Sequence, residues 1–398
     1  MLGKDYNDEN LLTVAEAAAF LAVSTKTLRR WDAEGVLIPI RHPATQYRLY
    51  KKSQLVDFIK SLTVDANLTE NKPRSSRMQI TDSDIASFLD DKVNLKREDL
   101  TAYRAQANNL IDNLDKYLKE DQNFGLKKMI HAGSGAKGTA TSETSDLDVA
   151  VYLTPDKKNE SIENILNYIR DLLVKAMKRY NMTAEQFTLG ERCVRVLFKG
   201  SQMEVDVVPL IPVDGGTEKN GRGLLAHRSL PDGWLETSPK LHVEFIRKRK
   251  DSFDKYAPFV RLTKWWKNEV DAPLKSFAIE LIWAYLIDNE EVPDSYCDGL
   301  PYFFKYILRT GLKEKIVFSD YHSPSEIPKT DTGPVFIYDP VNPKNNVTKK
   351  ITEKERLIIV NKAQEAMNVL MMATCAPSKT KAIEQWRRVF GSSFNPYS

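Results

Sequence analysis

The sequence predicts an α+β fold: a small mixed sheet backed by helices, a helical region after it, and a small winged helix-turn-helix in front. Three observations predict it. Two β-rich runs, 129–132 and 146–153, flank a glycine-rich turn, and two more, 194–198 and 203–210, follow a long amphipathic segment. Residues from 236 onward carry helical periodicity and a helix-start signal at Thr352-Glu-Lys-Glu355. Residues 11–60 hold two short helix signatures ahead of a basic, β-prone stretch.

In the first unit, residues 1–60, Thr13-Val-Ala-Glu16 is a capping box that opens a helix through Ala17, Ala18, Phe20 and Leu21. Ser24-Thr25-Lys26-Thr27 starts a second helix carrying Leu28-Arg29-Arg30-Trp31, which stops at Gly35. Val36 to Pro39, Arg41 and Tyr47-Arg48-Leu49-Tyr50 suit a small wing, with Ser53 capping a last helix through Leu55 and Phe58. Between Lys26 and Lys52 stand seven Lys or Arg against Asp32 and Glu34. Cations so placed suit phosphates, and Thr25 and Lys26 suit base edges, so Thr25, Lys26, Arg29, Arg30 and Arg48 are the expected DNA contacts. Small winged helices also serve as protein-interaction modules. Residues 61–80 are polar with weak periodicity and read as a linker.

Residues 81–235 form the expected core. Thr81 to Lys119 is helical in pattern, with Ile85, Phe88, Leu89, Val93 and Leu95 inward. Met129 to Ala132 and Asp146 to Leu153 read as strands around Gly133-Ser134-Gly-Ala-Lys-Gly138-Thr139, which ends 7 residues before Asp146. Glycines let backbone approach a phosphate, and free N–H groups at a turn attract anions, so Gly133 and Ser134 are expected to cradle one. Strand alternation puts Asp146 and Asp148 on one face. Two carboxylates 4 Å apart repel by roughly 1 kcal/mol in water and about 4 near a protein surface, which a divalent cation relieves. All-oxygen ligation favours Mg²⁺, with Mn²⁺ the alternative.

Residues 160–180 give a helix with Ile162, Ile165, Leu166, Ile169, Leu172, Leu173 and Ala176 on one face. A hairpin turning at Lys199-Gly200-Ser201 then brings up Glu204 and Asp206 on one face. Asp206, in the more apolar run, is the expected third carboxylate. Asp146, Asp148 and Asp206 with two Mg²⁺ suit in-line transfer of a nucleotidyl group.

In residues 236–398, Arg247-Lys-Arg-Lys250 is either a solvated helix face or a phosphate or RNA contact, and Trp265 and Trp266 read as packing. The histidines are scattered and suggest no ligand cluster. A net charge of +4 does not by itself imply nucleic acid, and 42% apolar content is ordinary for a globular chain. Cys193, Cys297 and Cys375 are widely spaced, with no zinc pattern, and no signal peptide or long apolar span is evident, so a cytoplasmic location without membrane contact is expected.

Gly-Ser followed by Asp-x-Asp and a later Asp resembles the polymerase-β-like nucleotidyltransferase superfamily. The fuller pattern, Gly133-Ser134-x-x-x-Gly138-Thr139 through Ser145-Asp146-x-Asp148, is similar to its cGAS/DncV-like branch (CD-NTases), which stands beside oligoadenylate synthetases and archaeal CCA-adding enzymes. Phe259-Val-Arg261-Leu-Thr-Lys264-Trp-Trp266-Lys267 and Leu274-Lys275-Ser276-Phe277-Ala-Ile-Glu280-Leu281 resemble that branch's helical-spine segments. The resemblance implies that Lys264 and Ser276 contact the donor triphosphate. Trp234 with Thr237-Ser238-Pro239 fits a recurrent linker, and Asp339-Pro340 through Asn345-Asn346-Val347 fits a C-terminal signature.

What the resemblance implies is a Mg²⁺-dependent enzyme joining ribonucleoside triphosphates, ATP among them, into a cyclic or short linear second messenger for antiphage defence. The alternatives are a template-independent tRNA or RNA nucleotidyltransferase and a DNA-binding regulator that senses nucleotides. The 23 residues after Cys375 weigh against the first, as too few for an RNA-binding module, and three retained carboxylates weigh against the second. Residues 11–60, through Val23-Ser24-x-x-Thr27-Leu28-Arg29-Arg30-Trp31-x-x-x-Gly35 and Tyr47-Arg48-Leu49-Tyr50, resemble the winged helix-turn-helix of MerR-type regulators and phage excisionases.

Overall fold

Hydrophobic alternation decides the layout of the sheet, and helical periodicity decides what covers it. The structure, a computed structural model, describes residues 11–396 except 22, 34–36, 43, 44, 46, 64–78, 121–123, 144, 145, 156–160, 214–219, 229, 231 and 232. The chain divides into two compact units, Met1–Thr81 with Asn368–Trp386, and Asp82–Met367 with Arg387–Ser398.

The first unit runs β1 (Leu11–Thr13), α1 (Val14–Phe20), α2 (Thr25–Ala33), β2 (Ile40–Arg41), β3 (Arg48–Lys51) and α3 (Lys52–Thr63). The strands form an antiparallel sheet in the order β1-β3-β2. Thr13 and Glu16 make the capping box, the Thr13 N–H donating to Glu16 Oε2 at 2.8 Å. Ser24 Oγ accepts from the Thr27 N–H at 3.0 Å, starting α2. Leu28, Trp31, Tyr50 and Leu55 are buried together with Ala17 and Ala18 as the small core. Two expectations need correction. A third strand, β1, joins the wing, and Ser53 falls inside the first turn of α3, which Lys52 opens. Gly35 lies outside the described residues.

The second unit begins with α4 (Asp82–Phe88), a π turn over Leu89–Val93 and α5 (Arg97–Glu120). Ile85, Phe88, Leu89 and Val93 are buried, but Leu95 is only half-buried because it sits in the extended link before α5. Then come β4 (Phe124–Ala132), α6 (Gly133–Lys137), β5 (Asp146–Pro155), α7 (Ile162–Met177), β6 (Phe187–Leu189), β7 (Val194–Phe198), β8 (Met203–Pro212), β9 (Gly223–Ala226) and β10 (Trp234–Thr237).

These strands make one mixed seven-stranded sheet. β5 and β8 run parallel with α7 between them in sequence, and all other pairings are antiparallel. The sheet is larger than the sequence suggested, because β6, β9 and β10 are too short to announce themselves. Trp234–Thr237, expected as linker, is a strand paired to β9.

Odd-numbered residues of β5 (Leu147, Val149, Val151 and Leu153) pack with Leu110, Leu114 and Leu118 of α5 and Ile165, Ile169, Leu172 and Leu173 of α7. That burial fixes which face of the strand is left for chemistry, since a one-residue slip would move every apolar group to the wrong side.

The remaining helices are α8 (Pro239–Ser252), α9 (Tyr256–Glu269), α10 (Ser276–Asn289), α11 (Tyr296–Thr310), α12 (Glu353–Thr374) and α13 (Lys379–Phe390). Ser238 caps α8 by accepting from the Leu241 N–H at 3.1 Å, and Thr352 with Glu355 caps α12 as expected. Trp265 and Trp266 are buried in the helical packing; Trp266 stands edge-on to Phe304, and Phe259 stacks on Trp283 at 4.7 Å.

Candidate active site

Parallel pairing of β5 with β8 sets Asp148 directly beside Asp206, and Asp146 beside Glu204. Adjacent strands lie about 4.8 Å apart, so the two central carboxylates rise from neighbouring positions on the sheet. Asp148 alternates with the buried Leu147 and Val149 and therefore stands on the face away from α5 and α7. Asp146 opens β5, and its side chain lies outside the described residues.

Asp206 is held from the other edge. Arg195 is its antiparallel partner on β7, and the guanidinium donates to Asp206 Oδ1 at 2.9 Å and Oδ2 at 3.2 Å. Arg195 Nε also lies 3.3 Å from Glu204 Oε2. Both carboxylates raise the Arg195 pKa, Asp206 first, so the cation is fixed beside the site. Sequence reasoning missed Arg195, although a hairpin turning at Gly200-Ser201 places residue 195 opposite residue 206. Cys193 is buried nearby, and burial first, then Asp206, pushes its thiol up to about 12, which makes it inert.

The glycine-rich turn meets Asp148 at close range. Gly133 has φ +64°, and a Cβ there would lie 1.5 Å from Asp148 Oδ2. Only glycine leaves that volume to the carboxylate. Ser134 follows, half-buried, its carbonyl accepting from the Thr139 N–H at 3.0 Å, and α6 ends at Gly138 in the left-handed conformation. Thus Gly133 meets Asp148, and Asp206 stands beside Asp148 on the neighbouring strand. Their carboxylate oxygens are the donors a hard divalent cation takes, although no group of three such ligands gathers among the described residues, which leave out the Asp146 side chain.

The same sheet face continues away from Asp148 through Ala150 and Tyr152 into a recess of about 260 Å³. Lys128, Tyr152, Lys240, Glu244 and Arg247 line it.

Lys264 stands on α9, close to the end of the glycine-rich turn. It is 4% exposed, and its ammonium donates to Glu280 Oε1 at 2.7 Å and to the Thr139 carbonyl at 3.0 Å. The Lys264 ammonium is thus held between a buried carboxylate on α10 and the turn that follows α6. Ser276, half-buried, opens α10 one turn before Glu280. Glu280 also receives Lys137 at 2.5 Å; burial would raise its pKa, but Lys137 and Lys264 outweigh it and hold the carboxyl at about 2. The Glu280 partners are 143 and 16 residues away in sequence, so no local pattern signalled them.

The cationic run at 247–250 fits neither expectation as a whole. Arg249 is 3% exposed and donates to Asp288 at 2.5 Å and Asp320 at 2.8 Å, so it is an internal ion, while Lys248 also reaches Asp320. Arg247 stays exposed. The Asp339 signature is a scaffold turn: Asp339 accepts from the Val341 N–H at 2.8 Å and Asn345 Nδ2 at 3.0 Å, and meets His242 at 2.7 Å.

In the first unit Thr25, Lys26 and Arg29 are exposed on α2, and Arg30 is half-buried. Arg48 is committed in part to Asp32, 2.5 Å away, which also holds Arg41 at 2.7 Å. No helix among the described residues is long and apolar enough to cross a membrane.

Comparisons with known proteins bear on the family and the fold. The family described as "Nucleotidyltransferase domain" matches residues 111–214, and "MerR family regulatory protein" matches residues 13–50. A cyclic AMP-AMP-AMP synthase of Escherichia coli (strain MS 115-1) is 39% identical over 78% of this chain and 96% of its own length. The CBASS oligonucleotide cyclase CdnC of E. coli (strain KTE188) is 32% identical over 80% of this chain and 98% of its own. The solved structures of E. coli MS115-1 CdnC, one with ATP and one in complex with HORMA-ΔN, superpose with a TM-score of 0.71 at 38% identity, covering 80% of this chain and 99% of theirs. With its mixed sheet, paired aspartates and glycine turn, the chain belongs to the CD-NTase family of cyclic oligonucleotide synthases and is a nucleotidyltransferase, with a MerR-like segment at its front.

Proposed function

We propose that this enzyme condenses ribonucleoside triphosphates, ATP among them, into a cyclic oligonucleotide that serves as a second messenger in antiphage defence, in a Mg²⁺-dependent reaction. The observation that carries the reading is the juxtaposition of Asp148, Asp206 and Gly133 on one sheet face. The activities of the relatives, cyclic AMP-AMP-AMP synthesis and CBASS oligonucleotide cyclisation, support it.

Asp146, Asp148 and Asp206 are the residues that would hold the ions. Mg²⁺ bound there supplies a more acidic attacking hydroxyl and charge neutralisation for the triphosphate. Gly133 gives the Asp148 carboxylate its room, and Ser134 presents its hydroxyl to the phosphates. Arg195 aligns Asp206 through two hydrogen bonds, and its positive charge offsets repulsion between Asp206 and Asp148. Ser276 addresses the triphosphate from the start of α10. The recess lined by Lys128, Tyr152, Lys240 and Arg247 suits the other nucleotide, with cations for its phosphates and a tyrosine beside them. Residues 1–60 act as a nucleic-acid-directed module joined by 61–80 to the core, 81–235, and the helical part, 236–398.

The test is incubation with all four labelled ribonucleoside triphosphates and Mg²⁺, phosphatase treatment, and mass spectrometry. A phosphatase-resistant product, absent from Asp146→Asn/Asp148→Asn and from Asp206→Asn, is expected. Product from those variants at the wild-type rate would overturn the site. Transfer to tRNA alone would move the reading to RNA-end modification.

A further inference from the structure

Gly138, at φ +72°, is the hinge by which the chain leaves α6. The residues on either side of it converge on one carboxylate. Lys137 donates to Glu280 Oε2 at 2.5 Å, and the Thr139 hydroxyl donates to Glu280 Oε1 at 2.6 Å. Lys264 completes the cluster at 2.7 Å from Oε1. Glu280 itself is 1% exposed in the middle of α10, and the Lys137 ammonium also lies 4.7 Å from the Phe277 ring centroid on the same helix.

Two features set this cluster apart from a simple core ion pair. One buried anion holds two cations, more than neutrality requires, and buried charge is costly enough that an apolar replacement is often at least as stable. The second is where the contacts land. Arg261 and Lys250 hold the turn only through the Gly138 and Lys137 carbonyls, at 2.9 and 3.4 Å. Glu280 holds it through side chains on both sides of the hinge.

We infer that Glu280 is a positioning residue, a clamp that fixes α6 and so sets where Gly133 and Ser134 sit beside Asp148 to receive the nucleotide. The inference rests on the proposed reading of that site as the nucleotide site. Lys264 then serves as the counter-charge of the clamp from α9. Lys137 is four residues from Gly133, so a shift of its anchor is transmitted over about one helical turn.

The experiment compares wild type with Lys137→Met, Glu280→Gln and the double variant Glu280→Gln/Lys264→Met. Three quantities are read: the Tm, the Kd for a non-hydrolysable ATP analogue with Mg²⁺, and KM against kcat. Lys137→Met leaves the Glu280–Lys264 pair intact, so it is expected to raise Kd and KM roughly 10- to 100-fold, as removal of a supporting hydrogen bond does, with Tm close to wild type. Glu280→Gln is expected to weaken the analogue as much and also to lower Tm, because two ammoniums then surround a neutral amide. The double variant removes one of those charges and is expected to recover Tm without recovering Kd.

Wild-type Kd in Lys137→Met, or recovery of both Tm and Kd in the double variant, would reduce Glu280 to a purely structural ion and overturn the clamp. Wild-type protein that binds the analogue but forms no product overturns the proposed reaction alone, since Kd still judges the clamp. Wild-type protein that does not bind the analogue overturns both.

Discussion

A methyl group at residue 133 would sit 1.5 Å from Asp148 Oδ2 and 2.5 Å from its Cγ, on a backbone at φ +64°. Both the space and the dihedral therefore exclude alanine. We expect Gly133→Ala to cost about 1 kcal/mol in stability from the strained backbone. Activity should fall much further, because the Asp148 carboxylate must leave its place beside Asp206. Gly200→Ala is the control: nothing lies within 4 Å of the added carbon, and no change beyond about 0.5 kcal/mol is expected. Thermal melts with product assays check both; equal activity losses in the two variants would sink the argument. At this scale the placement of Asp148 beside Asp206, and of Gly133 against Asp148, was legible because strand alternation and glycine chemistry are local. Glu280 and Arg249 were not. Their partners lie far away in sequence, and the run Arg247–Lys250 hides one internal ion among neighbours that include the exposed Arg247 and Lys248.

At the level of elements, periodicity identified α5, α7, β5 and the β7–β8 hairpin, all long or strongly patterned. It missed β6, β9 and β10, of 3, 4 and 4 residues, because so few positions cannot express a period. The Asp339 segment, legible only by resemblance, has a structural role that no periodicity expresses. There a buried carboxylate ties its own turn to His242 on α8. Burial would raise the Asp339 pKa, but His242 and the surrounding donors outweigh it and leave it below its usual 3.8. A carboxylate whose folded pKa is depressed stabilises the protein fully above its unfolded pKa and progressively less as pH falls through the folded value. Glu280, depressed from 4.5 to about 2, acts in the same direction. Stability should therefore drop as pH falls below about 4.5, through the window these two groups span. In Asp339→Asn the wild-type loss is reduced, and the variant starts from lower stability at neutral pH because Asn serves the same donors less well. Denaturant midpoints between pH 2 and 7 measure this. An identical acid slope in both proteins would remove Asp339 from the account.

On the scale of the whole molecule, the cyclic AMP-AMP-AMP synthase relative aligns over 96% of its own length but 78% of this chain, leaving about a fifth of the chain additional. The MerR match at 13–50 lies in the first unit, where Leu28, Trp31, Tyr50 and Leu55 are buried, and Thr25, Lys26 and Arg29 are exposed along α2. Arg48 and Arg41 differ from these, since Asp32 already neutralises them in part. Phosphate contacts should thus come mainly from α2, not from the wing. We expect the protein to retard duplex DNA with an affinity that falls steeply with salt. Lys26→Ala/Arg29→Ala should weaken that binding across all sequences and reduce the slope of log affinity against log salt by about 2, one for each phosphate that a removed cation had neutralised. Arg48→Ala should change the slope less. Neither variant touches Asp148 or Asp206, so nucleotide condensation without DNA should proceed at the wild-type rate. Binding titrations at several salt concentrations, paired with product assays, separate the possibilities. If the double variant and wild type gave the same affinity and slope, α2 would not be a DNA-contacting surface. The MerR-like unit would then be better placed as a protein-docking module.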